Sequence, residues 1–229
     1  MWDVRSVITP TSHFAKFDLR DGFWSVPIHE DSYCRLVMRH PATGRLMWCL
    51  SLPFGYMDSP RKFCRVTEAL ANEMRRRAAG LGIYYYAYVD DFLCVGDTKA
   101  LTERGMEILC EVMGEFGMQV APHKERGPCT CLDFLGLLLC NDEGNRCVAL
   151  TEKRQKMLRA LIDEWVLLQP ASGGEITVAP KALAKLLGHL VFASQVVPGG
   201  RTYMQGMLSA FSGLEVDWRR GFVRPRDGA

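Results

Sequence analysis

The sequence predicts an α+β fold followed by a smaller helical part. Three observations carry this reading. Hairpin signals recur up to residue 150, two well-bounded helical segments lie between them, and beyond Thr151 the apolar spacing becomes helical. With 48% hydrophobic residues among 229, the chain has enough apolar surface to bury a substantial core.

Each element has a local reason. HFAKFDL (13–19) is an apolar run that stops at the tight Arg20, Asp21, Gly22 and reads as a strand. Residues 33–40 and 45–52 read as two strands joined by the turn-forming PATG. A helix follows from Ser59 as N-cap, with Pro60 at its first position, and ends in Arg75, Arg76, Arg77 and Gly80, cations suiting a helix C-terminus. IYYYAYV and FLCVG flank Asp90 and Asp91 as a second hairpin, and a second helix runs from about Thr98 to Phe116, stopped by Gly117. Residues 132–140 and 146–151 read as a third hairpin around NDEGN. Two helical stretches complete the chain, EKRQKMLRALIDEWVLL and APKALAKLLGHLVFASQVV, the second with Pro180 near its start and a loop at 169–178 before it. The tail beyond residue 215 has no apolar period and is expected to be flexible.

Composition narrows the classes of function. The formal charge of +2 is unevenly spread, with a cluster at Arg75 to Arg77 and a basic face at Lys153, Arg154, Lys156 and Arg159, so net charge alone marks no nucleic-acid partner. Nine cysteines, odd in number and set in apolar stretches, suit reduced thiols and an intracellular location, cytoplasmic or nuclear. Cys129, Cys131, Cys140 and Cys147 with His123 match no common zinc spacing. No apolar run is long enough to span a bilayer and the start lacks a secretory pattern, so a membrane partner is not expected.

The chemistry concentrates at Asp90 and Asp91. They interrupt an aromatic and β-branched run, where an ionised carboxylate is costly unless it is paired, hydrogen-bonded or metal-bound. Asp18 closes the first strand and Asp21 follows in its turn. If those strands are neighbours, the acids converge at one sheet edge, and a hard divalent ion such as Mg²⁺ relieves their repulsion. Taken singly, each aspartate is as well explained as a turn former. Their order and surroundings decide between the two.

Asp18 in KFDLRDGFW, LPFGYMDSPRKF (52–63), YVDD (88–91), the segment ending at Lys124 and FLG (134–136) resemble, in the same order, five motifs of the reverse-transcriptase palm. The resemblance implies a polymerase palm over residues 1–150, an antiparallel sheet with helices on one face and a ferredoxin-like core. A small helical thumb or connection region would follow at 151–215, then the tail at 216–229. The LPFG form is similar to retrotransposon enzymes, and LAKLLGHLVFASQVVPGGRTY is similar to the segment after the polymerase core in tyrosine-recombinase (DIRS-like) elements.

The resemblance further implies an RNA-directed DNA polymerase acting by two-metal phosphoryl transfer. Asp18 and Asp90, with Asp91 assisting, would hold two Mg²⁺ ions, Mn²⁺ being the alternative, and the Leu19 carbonyl is a further oxygen. The amides of Asp21 and Gly22 would meet the triphosphate, and Phe23 would sit beneath the sugar and exclude a 2′-hydroxyl. Phe54 and Gly55 would border nucleotide or template, Lys124 would act as general acid at the pyrophosphate, and Phe134, Leu135 and Gly136 would grip the primer. Implied partners are a primed RNA or DNA template, deoxynucleoside triphosphates and other segments of a retroelement polyprotein.

Reverse transcriptases place a fingers subdomain before the first motif, and only a short segment precedes Asp18 here. An excerpt of a longer polyprotein or a truncated relative is therefore expected. The alternative function is a catalytically inactive relative kept as a nucleic-acid-binding or assembly module. Retention of Asp18, Asp90, Asp91, Phe23 and Lys124 together favours the enzyme. A nucleotide cyclase also pairs carboxylates on a palm-like sheet but gives no reason for LPFG and FLG.

Overall fold

In a computed structural model, which describes residues 4–121, 125–142, 145–167, 179–209, 212, 214–217 and 222–225, the first strand is β1 (His13–Asp18). Phe14, Ala15 and Phe17 are buried, so β1 is covered on both faces and belongs inside a sheet. The next hairpin is shorter than its sequence suggests. Glu30–Arg35 is a 3₁₀ turn, leaving only β2 (Val37–Arg39) and β3 (Leu46–Trp48) to pair. Every residue of these two strands is exposed, so no buried face drives a longer ladder.

The first long helix, α1 (Ser59–Arg77), takes Asp58 rather than Ser59 as its N-cap position. The Ser59 hydroxyl has another task. It donates to the Pro53 carbonyl at 2.8 Å in a buried contact, tying the LPFG loop to the helix start. β4 (Ile83–Tyr88) and β5 (Asp91–Gly96) form a hairpin whose two-residue loop is Val89 and Asp90. α2 (Lys99–Glu115) is capped by the Thr98 hydroxyl, which accepts from the Leu101 amide at 3.3 Å. β6 (Arg126–Cys129) follows, and the main sheet runs β4-β5-β1-β6 with every pairing antiparallel.

Strand alternation gives this sheet two different faces. Ala15, Phe17, Ile83, Tyr85, Phe92 and Cys94 pack with Phe63, Leu70 and Met74 of α1 and Ile108, Leu109 and Val112 of α2. Burying each large apolar side chain there contributes about 1.5–3 kcal/mol. The Tyr85 hydroxyl, drawn into this layer, donates to the Gly105 carbonyl at 2.7 Å. The other face carries Phe14, Lys16 and Asp18 from β1, and Asp91, Leu93 and Val95 opposite them on β5. Helices therefore cover one face, and the aspartates stand on the other.

The segment 132–140, expected as one strand, is two: β7 (Cys131–Phe134) and β8 (Leu137–Asp142). Leu135 at φ 50° and Gly136 at φ 80° turn the chain back between them, the consecutive positive φ values of a tight hairpin loop. With β9 (Asn145–Leu150) they form a three-stranded sheet in chain order. Cys131 and Cys140 are disulfide-bonded, correcting the expectation of reduced thiols throughout, because the fold brings their Cα atoms to 4.2 Å. The other seven cysteines are free.

The chain divides into two compact units, Met1–Phe134 with Leu139–Cys147, and Leu135–Leu138 with Val148–Ala229. The second unit contains α3 (Glu152–Val166), α4 (Pro180–Ala193), the short α5 (Gly200–Tyr203) and α6 (Gln205–Ser209), and a ladder of β10 (Leu214–Asp217) with β11 (Phe222–Pro225). That ladder occupies part of the stretch expected to be a flexible tail. The loop at 169–178 lies outside the described residues. Among the described residues no helix is long and apolar enough to cross a membrane.

Candidate active site

Three backbone relationships assemble the acidic residues. Asp18, the last residue of β1, is the register partner of Asp91, the first of β5. Directly opposed residues of antiparallel strands project to the same face with Cβ atoms about 4.5–5.5 Å apart. One residue further, the Leu19 amide donates to the Asp90 carbonyl at 3.1 Å, so the turn holding Asp90 is bonded to the end of β1. On the other flank the Ala121 amide donates to the Asp18 carbonyl at 2.9 Å and the Arg20 amide to the Gln119 carbonyl at 2.8 Å. The chain leading to Lys124 thus runs beside Asp18. Lys124 itself lies outside the described residues.

Asp18, Asp90 and Asp91 are all half-buried. Val89 sets the turn. Its φ of 57° is in the left-handed region, which a β-branched residue rarely enters, and its loop position is one that usually takes glycine. Such strain costs on the order of 1–3 kcal/mol and persists where surrounding packing enforces it. Val89 is indeed packed against the core.

A second group forms just beyond β1. Asp21 is also left-handed, at φ 54°, and precedes a 3₁₀ turn at Gly22–Ser25. Gly22 lies close against α1: a Cβ there would meet the Phe63 ring at 3.0 Å, a tight contact. Phe23 stacks at 4.8 Å on buried Phe63 and meets Phe54 of the LPFG loop edge-on at 5.0 Å. Trp24 approaches the same Phe54 at 5.8 Å. Phe54 remains 66% exposed, so this cluster presents an aromatic surface rather than closing into core. Gly55 turns the loop at φ 83° with open space around it. A cavity of about 570 Å³ beside this group is lined by Arg20, Asp21, Trp24, Ser25, Gly117 and Gln119.

Phe134, Leu135 and Gly136 sit at the β7–β8 turn, with Phe134 buried and the other two forming the loop. The arginines at 75–77 are engaged elsewhere. Arg75 bonds Glu68, Asn72 and the Tyr85 carbonyl, while Arg76 and Arg77 pair with Glu73 and Arg77 also reaches Glu115. The two guanidinium groups on Glu73 hold its carboxyl down at about 2.

The donor set suits a hard divalent cation, but it is incomplete as a cage: among the described residues no three His, Cys, Asp or Glu side chains are gathered closely enough to hold a metal. Mg²⁺ is typically bound by one or two carboxylates together with waters and substrate phosphates. Asp18 and Asp91, partners in the register, are carboxylates of that kind, and Asp90 lies in the adjoining turn.

The model for the reverse transcriptase (RNA-dependent DNA polymerase) family matches residues 5–139. The chain belongs to the reverse transcriptase family. Among relatives of this reverse transcriptase domain, the Gag-Pro-Pol polyprotein of bovine leukemia virus is 24% identical over 93% of the chain, and the enzymatic polyprotein of figwort mosaic virus 23% over 86%. The chain spans only 14% and 26% of those polyproteins. Its fold matches a foamy viral protease-reverse transcriptase solved with double-stranded DNA, at TM-score 0.68 and 22% identity, over 91% of this chain and 32% of that one. A second foamy viral structure, solved with an RNA/DNA hybrid, matches at TM-score 0.64 and 20% identity over 96% of this chain and 25% of that one. These relatives are viral polyproteins and do not carry the narrower DIRS-like assignment.

The sequence reading did not single out Val89 or Trp24. Val89 had one signal, a two-residue hairpin loop without Gly or Asn at its first position. Trp24 had none, because its approach to Phe54 depends on how two distant loops meet.

Proposed function

We propose that the chain is the palm and thumb portion of an RNA-directed DNA polymerase that adds deoxynucleotides to a primer 3′-hydroxyl on an RNA or DNA template. The observation that supports this above all others is the facing of Asp18 and Asp91 across β1 and β5, with Asp90 in the adjoining turn. Solved relatives in complex with double-stranded DNA and an RNA/DNA hybrid make a primed duplex the natural partner.

Asp18, Asp90 and Asp91 would hold Mg²⁺, with Mn²⁺ as the alternative, through hard carboxylate oxygens. When bound, the ions supply positive charge where the primer hydroxyl ionises and where pyrophosphate departs. The protein contributes the rest by position. Backbone amides at Asp21 and Gly22 receive the triphosphate, Gly22 permitting close approach. The Phe23 ring, braced on Phe63 and Phe54, forms the floor under the sugar. The Lys124 Nζ gives a proton to the leaving pyrophosphate. As the 3′-oxygen bonds to the α-phosphorus, the bond from that phosphorus to pyrophosphate breaks, and nothing becomes covalently attached to the protein.

Primer extension on a primed RNA template, with deoxynucleotides and Mg²⁺, tests the proposal. Wild type should extend the primer and Asp90→Asn should not. If wild type binds duplex yet extends no faster than Asp90→Asn, even when a fingers segment is supplied, the chain is a nucleic-acid-binding module instead.

A further inference from the structure

Among the described residues β4 is an edge strand, paired with β5 on one side only. Its Tyr85 carbonyl accepts from Arg75 Nε at 3.0 Å and so faces away from β5. Because backbone groups alternate in direction along an antiparallel strand, Ile83 and Ala87 turn theirs to the same free side. Along that edge, between β4 and the end of α1, lies a cavity of about 560 Å³ whose walls include Arg75, Ala79, Gly80, Gly82, Tyr84 and Asp97. It belongs to the far end of the β4–β5 hairpin, about 20 Å along the strand from Asp90.

Asp97 brings an unmatched carboxylate to this groove. Its backbone is fixed twice, the amide donating to the Gly82 carbonyl at 3.0 Å and the carbonyl accepting from Thr11 Oγ1 at 2.6 Å. The side chain lies against Gly82, where a Cβ would collide with Oδ2. Oδ1 is sealed from solvent, and neither a hydrogen-bond donor nor an ion pair reaches the carboxylate among the described residues. The nearby cations are already matched, Arg75 bonding Glu68 and Asn72 while Arg76 and Arg77 share Glu73. A carboxylate partly withdrawn from water without a partner is costly, and the carbonyl end of α1 adds negative potential to the same wall.

We infer that the free edge of β4 is a docking site for an extended peptide segment of a partner protein, whose Lys or Arg side chain enters the groove and pairs with Asp97. An exposed strand edge takes an added strand through main-chain hydrogen bonds, and a pocket beside it selects the side chain. An unpaired acid with the Tyr84 ring on the same wall selects a cation. Gly80 at φ 78° and Gly82 at φ 73° leave the rim without side chains, so a second backbone can come close. The arriving strand takes over the Tyr85 carbonyl that Arg75 shields in the free chain. None of this depends on the polymerase reading.

The probe is a labelled pentapeptide, acetyl-Thr-Val-Lys-Val-Thr-amide, titrated into the full 229-residue chain and followed by fluorescence anisotropy. Exchanging its lysine for norleucine should weaken binding about tenfold, the loss expected for a charge-assisted hydrogen bond at a partly buried acid. Asp97→Asn should weaken the lysine peptide by the same factor and leave the norleucine peptide unaffected. A peptide methylated on alternate backbone nitrogens keeps its charge and should not bind. In wild type, the lysine peptide should slow hydrogen exchange at the amides of Ile83, Tyr85 and Ala87, a measurement that serves if Asp97→Asn fails to fold. Equal binding of the lysine and norleucine peptides, or wild-type affinity in folded Asp97→Asn, overturns the inference. So does undiminished binding of the methylated peptide or unchanged exchange along β4, which would leave a small-cation pocket without strand addition. Absence of binding by the lysine peptide overturns it as well.

Discussion

Asp18 and Asp91 face each other across adjacent antiparallel strands, although 73 positions separate them in the chain, the difference of their numbers in the register. Like charges directly opposed in a sheet are destabilising by a few tenths to about 1 kcal/mol. Cations held there, as proposed, would relieve that repulsion. Asp91→Asn should abolish primer extension. Adding Mg²⁺ should stabilise wild type, since a ligand bound to the native state shifts the unfolding equilibrium, and should stabilise the variant much less. Equal Mg²⁺ stabilisation of both proteins would place the ion elsewhere.

Phe23 is where the aromatic cluster meets the proposed sugar position. Phe23→Ala removes a ring braced on Phe63 and Phe54. Because the side chain is only half-buried, the stability cost should be about 1–2 kcal/mol, below that of a full core truncation. Ribonucleotide incorporation relative to deoxynucleotide should rise at least about tenfold, equivalent to about 1.4 kcal/mol of lost discrimination. Competition between the two nucleotides on one template measures this directly. A stability loss with unchanged sugar preference would make Phe23 a packing residue only.

Much of this site was legible because its residues are local signals: an aspartate ending an apolar strand, two aspartates at a hairpin loop, and a Ser-Pro helix start after LPFG. What was not legible depends on pairing. The run 132–140 reads as one strand because Leu135 is apolar, and nothing local announces that it takes a positive φ. The hairpin at 37–48 is shorter than the strand-like runs 33–40 and 45–52 around PATG suggest, because the fold buries neither of its strands. The partners of Arg77 lie four and 38 positions away, the second reachable only once α1 and α2 pack.

Acid stability should depend on Glu73. Its folded carboxyl titrates at about 2 against an ordinary 4.5, held down by hydrogen bonds from Arg76 and Arg77. A depressed carboxylate contributes stability that is full above the unfolded value and lost as pH falls through the folded one. Glu73→Gln should therefore be less stable than wild type near neutral pH, with the gap closing between about pH 4.5 and about pH 2. The groups are exposed enough for salt to shrink the gap as well. Urea midpoints across this range decide the matter, and a pH-independent difference would assign the effect to packing.

Two glycines of α2 should respond oppositely to the same substitution. In a helix interior alanine is favoured over glycine by about 0.5–1 kcal/mol. Gly114 has open space around it, so Gly114→Ala should deliver that gain. Gly105 sits where the helix crosses the sheet: a Cβ there would lie 2.5 Å from Cys94 Sγ and 2.9 Å from Ile83 Cγ2. Its carbonyl also receives the buried Tyr85 hydroxyl. Overpacking of this kind costs about 1–3 kcal/mol, which exceeds the propensity gain. Burial pushes the Cys94 thiol up to about 12, so it stays neutral and behaves as packed apolar volume over the working pH range. Gly105→Ala should then lower the denaturation midpoint and Gly114→Ala should raise it. Because β5 carries Asp91 three residues before Cys94, the Gly105 variant should also lose polymerase activity in excess of its unfolded fraction at assay temperature, whereas Gly114→Ala should leave activity unchanged.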